Sequence, residues 1–163
     1  MPDRYWIINA SPLILLGKIA LLELLPRLTT NMLVPAGVIA EIQQGTANDT
    51  ARQWLSQAPQ NWIMEVPHIH PVVAAWNLGQ GESEVLSFAT FNPGYTVVID
   101  DLAARNCAIS LHLPMLGTLG ILLMAKKDGL LDQITPFVKA LQTVGMRLSP
   151  SLISKVLTLA GEQ

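Results

Sequence analysis

The 163-residue chain carries one cysteine, Cys107, so it can close no internal disulfide. With no Cys/His cluster at zinc-ligand spacing either, it suits a reducing compartment and reads as cytoplasmic. Charge is scarce as well: Asp, Glu, Lys and Arg make up 13% of the residues, against about 25% in an average soluble chain. A thinly hydrated surface follows, which favours a homo-oligomer, a dimer being the simplest. The net charge of −2 excludes the broadly basic surface of a nucleic-acid-coating protein, so any nucleic-acid contact has to be local. No apolar run reaches the ~20 residues that cross a bilayer. The stretch from Met115 to Ala125 is short and broken by Gly117-Thr118, and the first apolar run is interrupted by Asn9, Ser11 and Pro12 without a preceding basic segment. Neither a membrane span nor a signal peptide is expected. Aromatics are few, and Trp6, Trp54, Trp62 and Trp76 are too scattered to form a base-stacking platform.

Apolar material is abundant. Hydrophobic residues reach 50% and mean hydropathy is +0.39, which excludes disorder and supplies a core. The length suits one domain over 1–163, with C-terminal helices from about 131 packed on the same core. Tyr5-Trp6-Ile7-Ile8 reads as a strand. It hands over at Asn9-Ala10 to a helix from Pro12 to Leu25, with Ser11 as N-cap and Pro26 at the end. Met32–Val34 and a helix through Val38, Glu41 and Ile42 repeat the pattern. A helix over Asp49–Gln57, a strand over Trp62–Val66, a Pro67–Pro71 loop holding His68 and His70, and a helix over Glu82–Thr90 follow. Tyr95–Ile99 is an unbroken β-branched and apolar run of the kind buried on both faces of a parallel sheet, and it ends in Asp100-Asp101. Further elements are expected at Leu102–Leu111 (helix), Leu113–Leu116 (strand), Leu119–Asp128, Leu131–Val144 and Pro150–Leu159 (helices). Alternation of this kind specifies an α/β fold, three-layer α/β/α, around a mostly parallel sheet of about five strands.

In such sheets ligands bind beyond the carboxyl ends of the strands. Asn9 and Asp100 both fall there. The topology can bring Glu41 and Glu82 to the same edge, and carboxylates crowded together repel one another unless a cation neutralises them. Oxygen-only ligands suit Mg²⁺ or Mn²⁺, which polarise a phosphodiester and lower the pKa of a bound water. Phosphodiester hydrolysis is the implied reaction.

The segments IINASPLILLGKIALLELL, VPAGVIAEI, GQGESEVLSFA, VVIDDLAARNCA and PMLGTLGILLMAKKDGLL together resemble the PIN-domain nucleases, in particular a PIN-like branch of nucleic-acid-binding proteins. The resemblance covers nearly the whole chain. It implies a metal-dependent endoribonuclease acting on single-stranded RNA, with Glu41, Glu82 and Asp100 catalytic. Asn9, Glu41, Glu82, Asp100 and Asp101 are then the metal ligands. It also implies a toxin-antitoxin role, an antitoxin segment covering the acidic cleft, and a dimer. The departure is Asn9, where most active members carry an aspartate. Asparagine ligates through its carbonyl oxygen but brings no charge, so one ion is expected rather than two. The alternative is a catalytically impaired PIN-like binding or interaction module.

Plainer roles compete at each position. Asp100 could be a helix N-cap. Adjacent Asp100 and Asp101 should point to opposite faces if the strand continues through them. Glu82 and Glu84 are about 200° apart around a helix, so only Glu82 is assigned to the ion. Glu82 alone would also complement its helix dipole. Glu41 could be a solvated helix residue, and Asn9 could satisfy turn amides. Ser11 is a cap or a holder of water, Thr118 a phosphate or water contact at a helix N-terminus, and Arg105 and Lys126-Lys127 phosphate contacts near the acids. Cys107 reads as a buried small hydrophobe.

Overall fold

A computed structural model describes residues 3–45 and 49–163; Met1-Pro2, part of the expected non-signal opening, lies outside the described residues. Five strands form one sheet: β1 (Tyr5–Ile8), β2 (Asn31–Pro35), β3 (Ile63–Met64), β4 (Thr96–Val98) and β5 (Met115–Leu116). Their order is β3-β2-β1-β4-β5 and every neighbouring pair is parallel, so the expected mostly parallel sheet is wholly parallel. Ile7, Ile8, Val97 and Val98 are fully buried, as their uninterrupted apolar character requires when helices cover both faces.

The direction of travel reverses once. From β1 the chain steps outward to β2 and β3, then α5 (Pro71–Ala75) and α6 (Gln80–Phe91) carry it back to β4 on the other side of β1, and α7 (Leu102–Ser110) leads on to β5. The loops after β1 and β4 therefore diverge and leave a crevice at the carboxyl edge between them. The Asn9 N–H donates to the Val98 carbonyl at 3.0 Å and holds the two strand ends side by side.

Two helices, α1 (Ala10–Lys18) and α2 (Leu24–Leu28), replace the single helix expected over Pro12–Leu25. The break is at Ala20, whose φ of 61° is left-handed. Asn9, not Ser11, occupies the N-cap position. Pro26 sits in the first turn of α2, where its missing N–H is tolerated, so it helps to open a helix rather than end one. The remaining helices are α3 (Ala36–Gln44), α4 (Asp49–Ser56), α8 (Thr118–Lys127), α9 (Thr135–Thr143) and α10 (Pro150–Leu159). The strand expected over Trp62–Val66 shrinks to β3: a 3-10 turn takes Trp62 at one end, and at the other the partner strand β2 ends at Pro35, opposite Met64. His70, expected as a free loop residue, is half-buried, and its Nδ1 accepts the Val72 N–H at 3.1 Å to cap α5.

The layers are joined by charge as well as by the core. Ile134, Val138 and Leu141 of the α9 region and Val156 of α10 belong to the same buried cluster as the sheet, and Cys107 is buried within it. The Glu162 carboxylate accepts the N–H groups of Ile134 and Thr135, the Thr135 hydroxyl and the Lys126 ammonium at 2.6–3.0 Å. It caps α9 from the far end of the sequence. Burial alone would raise its pKa, but these donors outweigh burial and hold it at about 2.

Candidate active site

The crevice at the carboxyl edge holds a cavity of about 570 Å³ lined by Asn9, Ser11, Glu41, Glu82, Asp100 and Asp101 together with Lys18 and Arg147. Every residue expected to ligate metal borders it. Asn9 is placed by the end of β1, is 4% exposed, and its Oδ1 has no hydrogen-bond partner among the described residues. Its side chain makes no cap bond to α1, so the turn-satisfying role does not apply to that oxygen. A buried acceptor without a donor costs about 1–3 kcal/mol, a deficit that a hydrogen-bond donor, a water or a cation would relieve.

Asp100 and Asp101 do not alternate across a strand, because β4 ends at Val98. They divide two tasks between them. Asp101 is the N-cap of α7, its Oδ2 accepting the Ala104 N–H at 3.0 Å, so the capping role weighed for Asp100 belongs to its neighbour. Asp100 faces the start of α8, where Oδ1 accepts the Thr118 N–H at 2.8 Å and Oδ2 accepts the Thr118 hydroxyl at 2.6 Å. Thr118 is fully buried, so it positions Asp100 rather than meeting phosphate itself. Gly117 permits this approach: a Cβ there would lie 3.0 Å from both the Asp100 Oδ1 and the Arg105 guanidinium. That guanidinium donates to the Ile99 carbonyl at 3.1 Å and lines the neighbouring groove, not the acidic cavity where a phosphate contact was expected.

Glu82 and Glu84 separate as helical geometry requires. Glu82, in the first turn of α6, accepts the Gly79 N–H at 3.3 Å and looks into the cavity. Burial raises its pKa, with the Asp101 carboxylate next in effect and that of Glu41 adding to it; the Gly79 N–H opposes them only in part. Glu84 is buried and turned toward α3, accepting the Gly37 N–H at 2.9 Å and the Gln80 side-chain amide at 2.6 Å. A Cβ on Gly37 would fall 2.6 Å from that carboxylate, so glycine is what lets α3 dock there. Docking at Gly37 sets Glu41, one helical turn on, at the rim of the cavity.

Lys18 and Arg147 were missed. Ser11, Leu15 and Lys18 line the cavity at i, i+4 and i+7, so extending the helical period from Ser11 would have found Lys18. Arg147 sits in the α9–α10 connection, which carries no such period. The family model for the PIN domain matches residues 5–162. The chain belongs to the PIN-domain family. No curated protein matches it. The PIN assignment makes the architecture a nuclease-type fold. Among the described residues, no helix is long and apolar enough to cross a membrane.

The donor chemistry of this PIN cavity fits Mg²⁺ or Mn²⁺. Its ligand candidates are oxygens alone, the Asn9 Oδ1 lacks a partner, and Glu82 is crowded by like charge. The carboxylates nevertheless stand open: among the described residues, no three His, Cys, Asp or Glu side chains are gathered closely enough to hold an ion.

Proposed function

We propose that this PIN domain, read as one domain over 1–163, is an endoribonuclease that hydrolyses phosphodiester bonds of single-stranded RNA with Mg²⁺ or Mn²⁺. The observation that carries the reading is the cavity at the β1/β4 switch point, which Glu41, Glu82, Asp100 and Asp101 line together with Asn9, whose buried Oδ1 has no partner among the described residues. Asn9, Glu41, Glu82, Asp100 and Asp101 are the residues that would hold the ion. When bound, it supplies Lewis-acid polarisation of the phosphodiester and a lowered pKa for water. The chain's own residues do the rest. Thr118 fixes Asp100, the α7 cap fixes Asp101, and Lys18 and Arg147 at the rim offset phosphate charge. Burial, and after it the carboxylates of Asp101 and Glu41, raise the pKa of Glu82, so it carries its charge in this cavity less readily than an ordinary carboxylate. Glu41 and Ser11 border the space in which water is oriented.

The test is cleavage of single-stranded RNA by purified protein with Mn²⁺, alongside Asp100→Asn. Activity in the first and none in the second supports the reading; equal activity in both points to a contaminant. A specific observation also favours the second reading, a catalytically impaired binding module: position 9 carries an amide and the acids do not close on a common point. RNA binding without cleavage by either protein selects it. A toxin role with an antitoxin covering the cavity, a homodimer and a cytoplasmic location extend the reading from family likeness and composition.

A further inference from the structure

Positive charge in this chain is not spread over its surface. Arg147, with Met146 and Asp100, borders both the acidic cavity and an adjoining groove of about 450 Å³ between α8 and α10, which Arg105 and Lys155 also line. That groove shares Leu116, Gly120, Leu123 and Leu159 with a further hollow lined by Arg4, Lys126 and Lys127. With Lys18 on the cavity, seven of the ten Lys and Arg residues line one connected path, in a chain of net charge −2. Only Arg27, Arg52 and Lys139 lie off it. Among the described residues, Arg4 pairs with Asp128 and Lys126 with Glu162, whereas Lys18, Lys127, Arg147 and Lys155 have no carboxylate partner. The floor between them is apolar, and Leu159 on it is 67% exposed.

We infer that the α8–α10 groove and the hollow that adjoins it are the track along which single-stranded nucleic acid leaves the acidic cavity, with Arg147 and Lys155 of the groove and Lys127 of the hollow on its phosphates and the bases over the leucine and methionine floor. The inference rests on the nuclease reading for its polarity, since a strand with one phosphate in the cavity must lay its neighbours somewhere. The groove is a cation-lined exit that begins at the cavity's own wall. An acidic peptide would gain the same rim, but nothing in that case relates the rim to the carboxylates at its end. Phosphates held by separate, exposed cations release counterions, which fixes the experimental signature.

The experiment is fluorescence anisotropy of a short labelled oligouridylate in EDTA, repeated across a KCl series, with Mn²⁺-dependent cleavage assayed in parallel. Substituting Lys127→Ala and Lys155→Ala together should reduce the slope of log affinity against log salt by roughly 1.4, about 0.7 for each lost single-strand phosphate contact. Lys139→Ala should leave the slope unchanged. Both lysines are exposed and, among the described residues, outside every ion pair, so the fold is not at stake. A slope unaltered in the double variant, or no binding by the unsubstituted chain, overturns the track even if RNA is cleaved. A reduced slope without cleavage keeps the track and removes the nuclease reading. If the double variant loses a synthetic Glu/Leu peptide but keeps the oligonucleotide, the groove is a protein-docking surface and the inference is overturned.

Discussion

Two carboxylates of this PIN domain, Glu82 and Glu162, are drawn from an ordinary pKa of 4.5 in opposite directions, and the difference separates a structural clamp from the candidate active-site cavity. Burial opposes ionisation at both. At Glu162 two backbone N–H groups, a hydroxyl and the Lys126 ammonium overcome it, whereas Glu82 has one N–H and faces the carboxylates of Asp101 and Glu41. Glu162 is satisfied by the fold. No cation offsets the acids around Glu82 in its pKa, although Lys18 and Arg147 line the same cavity, and that cavity is also lined by Asn9, whose Oδ1 has no partner among the described residues. Concentrating unfavourable electrostatics where a ligand binds is a recurring property of functional sites.

The largest expected effect breaks the cavity side of this comparison. Asp100→Asn keeps a side chain able to accept the Thr118 N–H but removes a charge from the cavity. If a metal there supplies several kcal/mol of transition-state stabilisation, cleavage should fall about a thousand-fold, with the melting temperature unchanged or higher. Next comes the clamp. Glu162→Ala strands the Lys126 ammonium and the first N–H groups of α9, so stability should drop by roughly 2–3 kcal/mol in a urea titration. Because the folded pKa of Glu162 is depressed, its contribution is fully present above 4.5 and disappears as pH falls toward about 2. Glu162→Gln should flatten that part of an acid-unfolding profile. Glu82 has the opposite sign: with its folded pKa raised, the metal-free protein gains from it on acidification, and Glu82→Gln should remove a penalty that grows as pH rises above 4.5.

The sheet was legible in the sequence because its signals are local or periodic, whereas the set of acids was assigned through the resemblance to the PIN-domain nucleases. The Tyr95–Ile99 run forced a doubly covered strand, and the 200° between Glu82 and Glu84 correctly sent them to different partners. What escaped depends on distant partners. The break at Ala20 is a backbone conformation that alanine does not announce. The exchange of roles between Asp100 and Asp101 turns on where β4 ends and on Thr118 arriving 18 residues later. Arg147 and the Glu162 clamp come from loops and a chain end whose positions only packing determines.

A smaller effect tests how Asp100 is held. Thr118→Val removes the 2.6 Å hydroxyl bond while keeping the shape and the backbone N–H contact. Supporting residues of this kind typically contribute about 10–100-fold in metal affinity or activity. Mn²⁺ affinity by calorimetry should fall within that range, with rescue by Thr118→Ser. A loss of folding without a change in affinity would make Thr118 a packing residue only.

The smallest expected change sharpens the comparison at position 9. Asn9→Asp adds a carboxylate beside Glu41, Glu82 and Asp101, and with no cation present like charges repel, so the variant should melt lower than the parent in EDTA. With Mn²⁺ the order should invert. A neutral oxygen donor becomes an anionic one, and a ten-fold gain in affinity corresponds to about 1.4 kcal/mol, which adds to the stability of the folded state through linkage. The decisive quantity is therefore the rise in melting temperature that Mn²⁺ produces, which should be larger in Asn9→Asp than in the parent. If the variant melts lower in EDTA and Mn²⁺ does not recover it, the added charge lies in the acidic cavity but outside the reach of the ion. If neither condition separates the two proteins, the buried amide is insulated from the acids, and the deficit at Asn9 is unrelated to that at Glu82.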